Sequence, residues 1–125
     1  MARILLAEDE EPLRVLLTRA FTEEHHDVVA TADGAEALDV LGTSSDGFDL
    51  LLTDIRMPVM DGIELALSCG HEFPDLPIML MTGYADQRER ASGLDALIHD
   101  VITKPFSLAQ IKRAVADALA AKPRH

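Results

Sequence analysis

Apolar and polar positions along this chain follow two periods in turn. Short apolar runs of strand length recur with turn-forming residues beside them: "ILLA" (Ile4 to Ala7), "DVVATA" (Asp27 to Ala32), "FDLLLT" (Phe48 to Thr53), "PIMLMT" (Pro77 to Thr82) and "LIHDVIT" (Leu97 to Thr103). Three of them are continuous rather than alternating, which predicts strands covered on both faces. Between the runs the period lengthens. Leu13, Leu16, Leu17, Ala20 and Phe21 make one helical stripe, with Pro12 suited to the opening turn. Leu108, Ile111, Val115 and Leu119 repeat the pattern behind Ser107, the expected cap. Asp33 caps a helix through Leu41 that Gly42 closes, and Gly62 to Gly70 forms a shorter one. A further helical pattern, Asp86 to Leu94, is weakened by Ser92 and Gly93.

Strands alternating with helices predict an α/β fold, a doubly wound five-stranded parallel sheet with right-handed crossovers. Ligands of such sheets bind beyond the carboxyl ends of the strands, where strand order reverses. The residues at those ends are Glu8 and Asp9 after the first strand, Asp54 after the third, Thr82 after the fourth and Lys104 after the fifth. An ionised carboxylate directly behind "LLLT" needs water or a partner. If the first and third strands are neighbours, three carboxylates share one small space. Two unit charges about 4 Å apart repel by roughly 4 kcal/mol at an effective dielectric of about 20, which is large against the net stability of a domain. A divalent cation and an ammonium group relieve that repulsion. Hard oxygen ligands suit Mg2+, which commonly bridges a carboxylate to a phosphate. Lys104 then supplies a point charge to the phosphate and Thr82 a hydroxyl donor. The chemistry that fits is phosphoryl transfer onto Asp54, carried by positioning and charge neutralisation.

Composition narrows the partners. The 125 residues suit one domain, and 48% hydrophobic with 26% charged residues excludes a disordered chain. A formal net charge of -11 disfavours nucleic acid, leaving a cation or a basic partner. "RILLAEDEE" is too short an apolar run for a signal peptide or membrane span, so a cytoplasmic location without membrane contact is expected. Cys69, the one cysteine, reads as a half-buried reduced thiol. Met79 and Met81 read as core packing, His25, His26 and His71 as solvated loops, and His99 has no second ligand at metal spacing.

"ILLAEDE", "LLLTDIRMPVMDG", "MLMTGYA" and "ITKPF", in this order and spacing, resemble the receiver domain of bacterial two-component response regulators over essentially the whole chain. The resemblance implies a flavodoxin-like, CheY-like sheet of strand order 2-1-3-4-5. With the chain ending at His125 just after the last helical pattern, a single receiver domain over residues 1–125, core about 2–121, with no output domain is expected. The resemblance also implies Mg-dependent transfer of phosphate onto Asp54 from a phosphohistidine on a sensor histidine kinase or histidine phosphotransfer protein. Glu8, Asp9, Asp54 and the backbone carbonyl of Arg56 correspond to the metal ligands, and Thr82 and Lys104 to the residues that grip the phosphoryl group. The Lys104–Pro105 bond is expected to be cis. Catalysis is then limited to the protein's own phosphorylation and dephosphorylation, which switches protein–protein contacts with an effector the sequence does not name. Residues 86–92, "DQRERAS", read as a solvated face, although in receivers the surface of the fourth helix, fifth strand and fifth helix is where partners often read the phosphorylation state.

Two positions depart from the pattern. Val101 stands where many receivers carry an aromatic residue whose rotation accompanies activation, which puts a simple aromatic gate in doubt. Tyr84, two residues after Thr82, either covers the site or forms a contact surface. Other roles for the same fold are a phosphorelay carrier, a phosphate sink, a motility regulator or a regulator of substrate delivery to an ATP-dependent protease. A haloacid dehalogenase-type phosphatase also uses an Asp nucleophile with Mg2+, but places a second acid where this chain has Arg56. A flavodoxin-like cofactor binder needs a phosphate-cradling loop after the first strand, and here that loop is acidic.

Overall fold

Five parallel strands, β1 (Arg3–Ala7), β2 (Asp27–Thr31), β3 (Leu50–Asp54), β4 (Ile78–Thr82) and β5 (Asp100–Thr103), lie in the order β2-β1-β3-β4-β5. The computed structural model describes residues 2–43, 47–83, 91–94 and 96–121. Among the described residues, four helices connect or follow the strands: α1 (Glu11–Glu23), α2 (Gly34–Thr43), α3 (Gly62–Glu72) and α4 (Leu108–Ala120). The chain starts at β1, steps outward to β2, then crosses back over β1 to β3, so strand order reverses between β1 and β3.

Alternation along the strands sorts the core into two layers. Ile4, Leu6, Leu50, Leu52, Met79 and Met81 pack with Leu17 and Phe21 of α1 and with Ile111 and Val115 of α4. Leu5, Ala7, Leu51, Ile78 and Leu80 pack on the opposite face with Ala37 and Leu41 of α2 and with Ile63, Leu65 and Ala66 of α3. Each fully buried Leu or Ile contributes about 1.5–3 kcal/mol. Both faces being covered is why these strands read as unbroken apolar runs.

Several boundaries differ from the sequence expectation. Gly42 lies inside α2, which continues to Thr43, because an exposed helical glycine costs only about 1 kcal/mol and nothing there demands a left-handed turn. α3 runs two residues further than expected, to Glu72, from a capping box in which Asp61 accepts from the Glu64 N–H and Glu64 from the Asp61 N–H. Ser107 and Gln110 make the same reciprocal pair at α4. β5 begins at Asp100, not Leu97; Leu97 and Ile98 pack against the core without joining the ladder. Cys69 is fully buried rather than half-buried. Of the weak helical pattern from Asp86, residues 86–90 lie outside the described residues, and Ser92–Leu94 forms a single 3-10 turn.

Candidate functional site

The strand register brings the predicted residues to one end of the sheet. Ala7 pairs with Thr53, Asp54 with Met81 and Thr82 with Thr103, so Glu8, Asp54, Thr82 and Lys104 fall at or one step beyond adjoining strand ends. Asp54 is the last residue of β3 and is 4% exposed; Glu8 and Thr82 are fully buried. Buried polar groups of this kind require partners.

Lys104 supplies one to each of the two carboxylates. Its Nζ donates to Asp54 Oδ2 at 2.8 Å and to Glu8 Oε1 at 3.2 Å, so one ammonium group spans two carboxylates. The main chain holds Lys104 in place through its N–H, which donates to the Thr82 carbonyl at 2.7 Å, and the Lys104–Pro105 peptide bond that follows is cis. Glu8 is fixed from several directions. Its N–H donates to the Thr31 carbonyl at 3.0 Å, and its Oε2 accepts from the Glu10 N–H at 3.0 Å.

Burial is the main cause that pushes the Glu8 carboxyl up to about 7, and the charge of Asp54 pushes the same way. The Glu10 N–H and Lys104 offset this only in part. Lys104 is shifted upward as well: burial disfavours its charge, but hydrogen bonding and attraction to Asp54, followed by Glu8, outweigh the penalty. The two shifts are compatible, because the ammonium is stabilised chiefly by Asp54 while Glu8 bears the desolvation.

An open cavity of about 530 Å³ lies over this pair, lined among others by Asp9, Glu10, Asp54, Arg56, Gly83 and Lys104. Asp9 and Arg56 are exposed on its rim. Carboxylate oxygens of Glu8, Glu10 and Asp54 all lie within 4.8 Å of one another. Asp9 is outside that closest group and lines the same cavity. Glu10 is thus the acidic residue that sequence reasoning missed. Its signal was the run of acids "EDEE", and its proximity comes from the tight turn in which Glu10 binds back to Glu8. Three hard oxygen donors beside a single ammonium group fit a small divalent cation such as Mg2+.

The other predicted positions are placed as follows. Val101, on β5, is half-buried and packs against the core layer of α2 and α3. Pro105 is exposed, and Tyr84 lies outside the described residues. In the loop after Asp54, Val59 has φ 67° and is 82% exposed, an unusual backbone for a β-branched residue. Among the described residues, no helix is long and apolar enough to cross a membrane.

Comparison with known proteins bears on the same residues. Residues 4–116 match the family described as response regulator receiver domain. The response regulator MprA of Mycobacterium avium is 37% identical over 109 residues, 87% of this chain and 47% of that protein. The chain therefore spans about half the length of the curated relatives it matches. Among solved structures, the non-phosphorylated HemR receiver domain from Leptospira biflexa superposes with a TM-score of 0.88 at 28% identity, covering 100% of this chain and 99% of that one. The response regulator TrrA from Thermotoga maritima, solved in complex with Mg(2+)-BeF, gives 0.83 at 30% identity over 94% of this chain and 99% of that one.

Proposed function

This chain belongs to the response regulator receiver domain family, a family of two-component signalling modules, and from that premise we propose that Asp54 is its phosphoacceptor. The observation that carries the reading is the Lys104 ammonium group at 2.8 Å from a nearly buried Asp54, beneath an open acidic cavity. Glu8, Asp9, Asp54 and the Arg56 carbonyl would hold Mg2+, with Glu10 close by. When bound, the ion neutralises the carboxylates and the incoming phosphoryl oxygens.

The remaining work falls to the chain's own residues. Lys104 binds Asp54 through Oδ2, and the other carboxylate oxygen, Oδ1, is the nucleophile that attacks the phosphorus of a phosphohistidine. The P–N bond breaks as the P–O bond forms, and the donor imidazole leaves. Lys104 retains its proton and offers charge to the transferred group, while the Thr82 hydroxyl, at the end of the adjoining strand, donates a hydrogen bond to it. The product carries more negative charge and more acceptor oxygens than the carboxylate. Lys104 and Thr82 are drawn toward it, and a partner protein selects the altered surface. The donor is a sensor histidine kinase or a histidine phosphotransfer protein. The chemistry stays on the protein's own aspartate, in the cytoplasm, with Val101 at the sequence position where many receivers carry an aromatic gate. The Mg(2+)-BeF complex of the Thermotoga relative supports the metal assignment.

Acetyl phosphate with MgCl2 tests it. The wild-type protein is expected to gain one phosphoryl group by intact mass and Asp54→Asn none; stoichiometric uptake by Asp54→Asn would overturn the assignment.

A further inference from the structure

Arg14 reaches back from α1 to the loop that carries the acids. Its Nη1 donates to the Glu8 carbonyl at 2.9 Å and makes a longer contact of 3.5 Å to the Asp9 carbonyl, while its own N–H donates to the Glu10 carbonyl at 2.9 Å. One residue therefore holds three consecutive carbonyls of the acidic run. We infer that Arg14 is a positioning residue for the cation site, fixing the main chain from which Glu8 and Asp9 project. This inference rests on the cation site described under Proposed function.

The chemistry favours arginine for this task. A planar guanidinium with several N–H donors can serve two neighbouring carbonyls at once, whereas a lysine ammonium acts as a single point. The other anchors of the loop, the Glu8 N–H to Thr31 and the Glu10 N–H to Glu8 Oε2, restrain the start of the turn and the Glu8 side chain. Neither one holds the Glu8 or Asp9 carbonyl. Groups that orient metal ligands from behind typically change affinity by about 10–100-fold when removed.

A charge-only role makes the opposite prediction. Arg14 is a cation near a site for a divalent cation, so deleting its charge would strengthen Mg2+ binding, and high salt would erase the difference. Loss of positioning instead weakens binding and persists in salt. The α1 backbone bond from the Arg14 N–H survives any side-chain change, so the helix start is retained.

The test is a MgCl2 titration of the full chain, without phosphodonor, followed by backbone amide shifts at low and high salt, with circular dichroism to check folding. Arg14→Gln is expected to raise the Mg2+ dissociation constant by on the order of tenfold at both salt levels, and Arg14→Lys by less. Unchanged or tighter binding by a folded Arg14→Gln overturns the inference. Should Arg14→Gln fail to fold, Arg14→Lys decides: weakened binding supports the inference, and wild-type affinity overturns it. A wild-type protein with no Mg2+ response defeats the cation site itself, a result distinguishable from failure of the Arg14 inference alone.

Discussion

Gly62 backs directly onto Asp54. A β-carbon at Gly62 would overlap the main-chain carbonyl oxygen of Asp54 and sit 2.9 Å from its carbonyl carbon. The Gly62 N–H also donates to the Ile55 carbonyl at 2.7 Å, so the start of α3 is bonded to the chain just behind Asp54. Gly62→Ala is expected to destabilise the fold by about 1–3 kcal/mol through this overlap and to weaken Mg2+ binding as Asp54 moves. Alanine is the better helix former by about 1 kcal/mol, so the sign of the change separates overlap from propensity. Urea denaturation reads it, and a stabilised variant would contradict the close approach.

Glu8 sets a pH dependence of stability in the metal-free protein. Its carboxyl is raised from 4.5 to about 7, chiefly by burial, so between those values the folded state keeps a proton that the unfolded state has lost. The stabilisation from this group is fully present below about 4.5 and is lost as pH rises through about 7. Melting temperatures measured without Mg2+ across this window should fall by more in the wild type than in Glu8→Gln. Equal slopes would refute the assignment.

Mg2+ should raise the melting temperature near neutral pH, because a ligand that binds only the folded state stabilises it by mass action. Asp54→Asn should shrink that gain. A melting curve indifferent to millimolar MgCl2 would argue against an assembled site.

Cys69 should resist thiol reagents while the protein is folded. The side chain is fully buried, and burial, helped by the charge of Glu72, pushes its pKa up to about 12. At pH 8 a disulfide reagent should label Cys69 only after denaturation. The same shift costs stability only as pH rises above the ordinary thiol value of 9.0, where the unfolded chain ionises first. Rapid labelling of the native protein would contradict the burial.

Val59 holds a left-handed backbone, φ 67°, with its side chain 82% exposed. Such a conformation costs a β-branched residue about 1–2 kcal/mol, while asparagine adopts it with less penalty. Val59→Asn should therefore stabilise the protein by up to about 1 kcal/mol, read as a higher urea midpoint. A loss of stability would mean that the valine side chain makes contacts its exposure does not suggest.

The sheet and the convergence of Glu8, Asp54, Thr82 and Lys104 at its carboxyl end were legible in the sequence because both follow from local signals. Apolar runs mark buried strands, and a charge at the end of a run marks a strand end at Asp54 and Lys104. What stayed hidden depends on how the loops turn. Glu10 joins Glu8 and Asp54 only because its N–H folds back onto Glu8 Oε2, and Arg14 meets the acidic loop only once α1 is packed. β5 is shorter than its apolar run because Leu97 and Ile98 are apolar for packing rather than for pairing, a distinction composition does not carry. Gly42 looked like a helix end because glycine usually is one.

The parallel sheet also has a second end, and it is built for stapling. There Arg3 pairs with Asp27 at 3.2 Å, stacks over the Phe48 ring at 4.4 Å, and has its N–H bonded to Asp49 at 2.8 Å. Because all five strands run the same way, these residues lie a full strand length from the acidic cavity. A fluorophore or affinity handle placed beside Asp49 can report on the molecule while leaving the phosphate chemistry undisturbed.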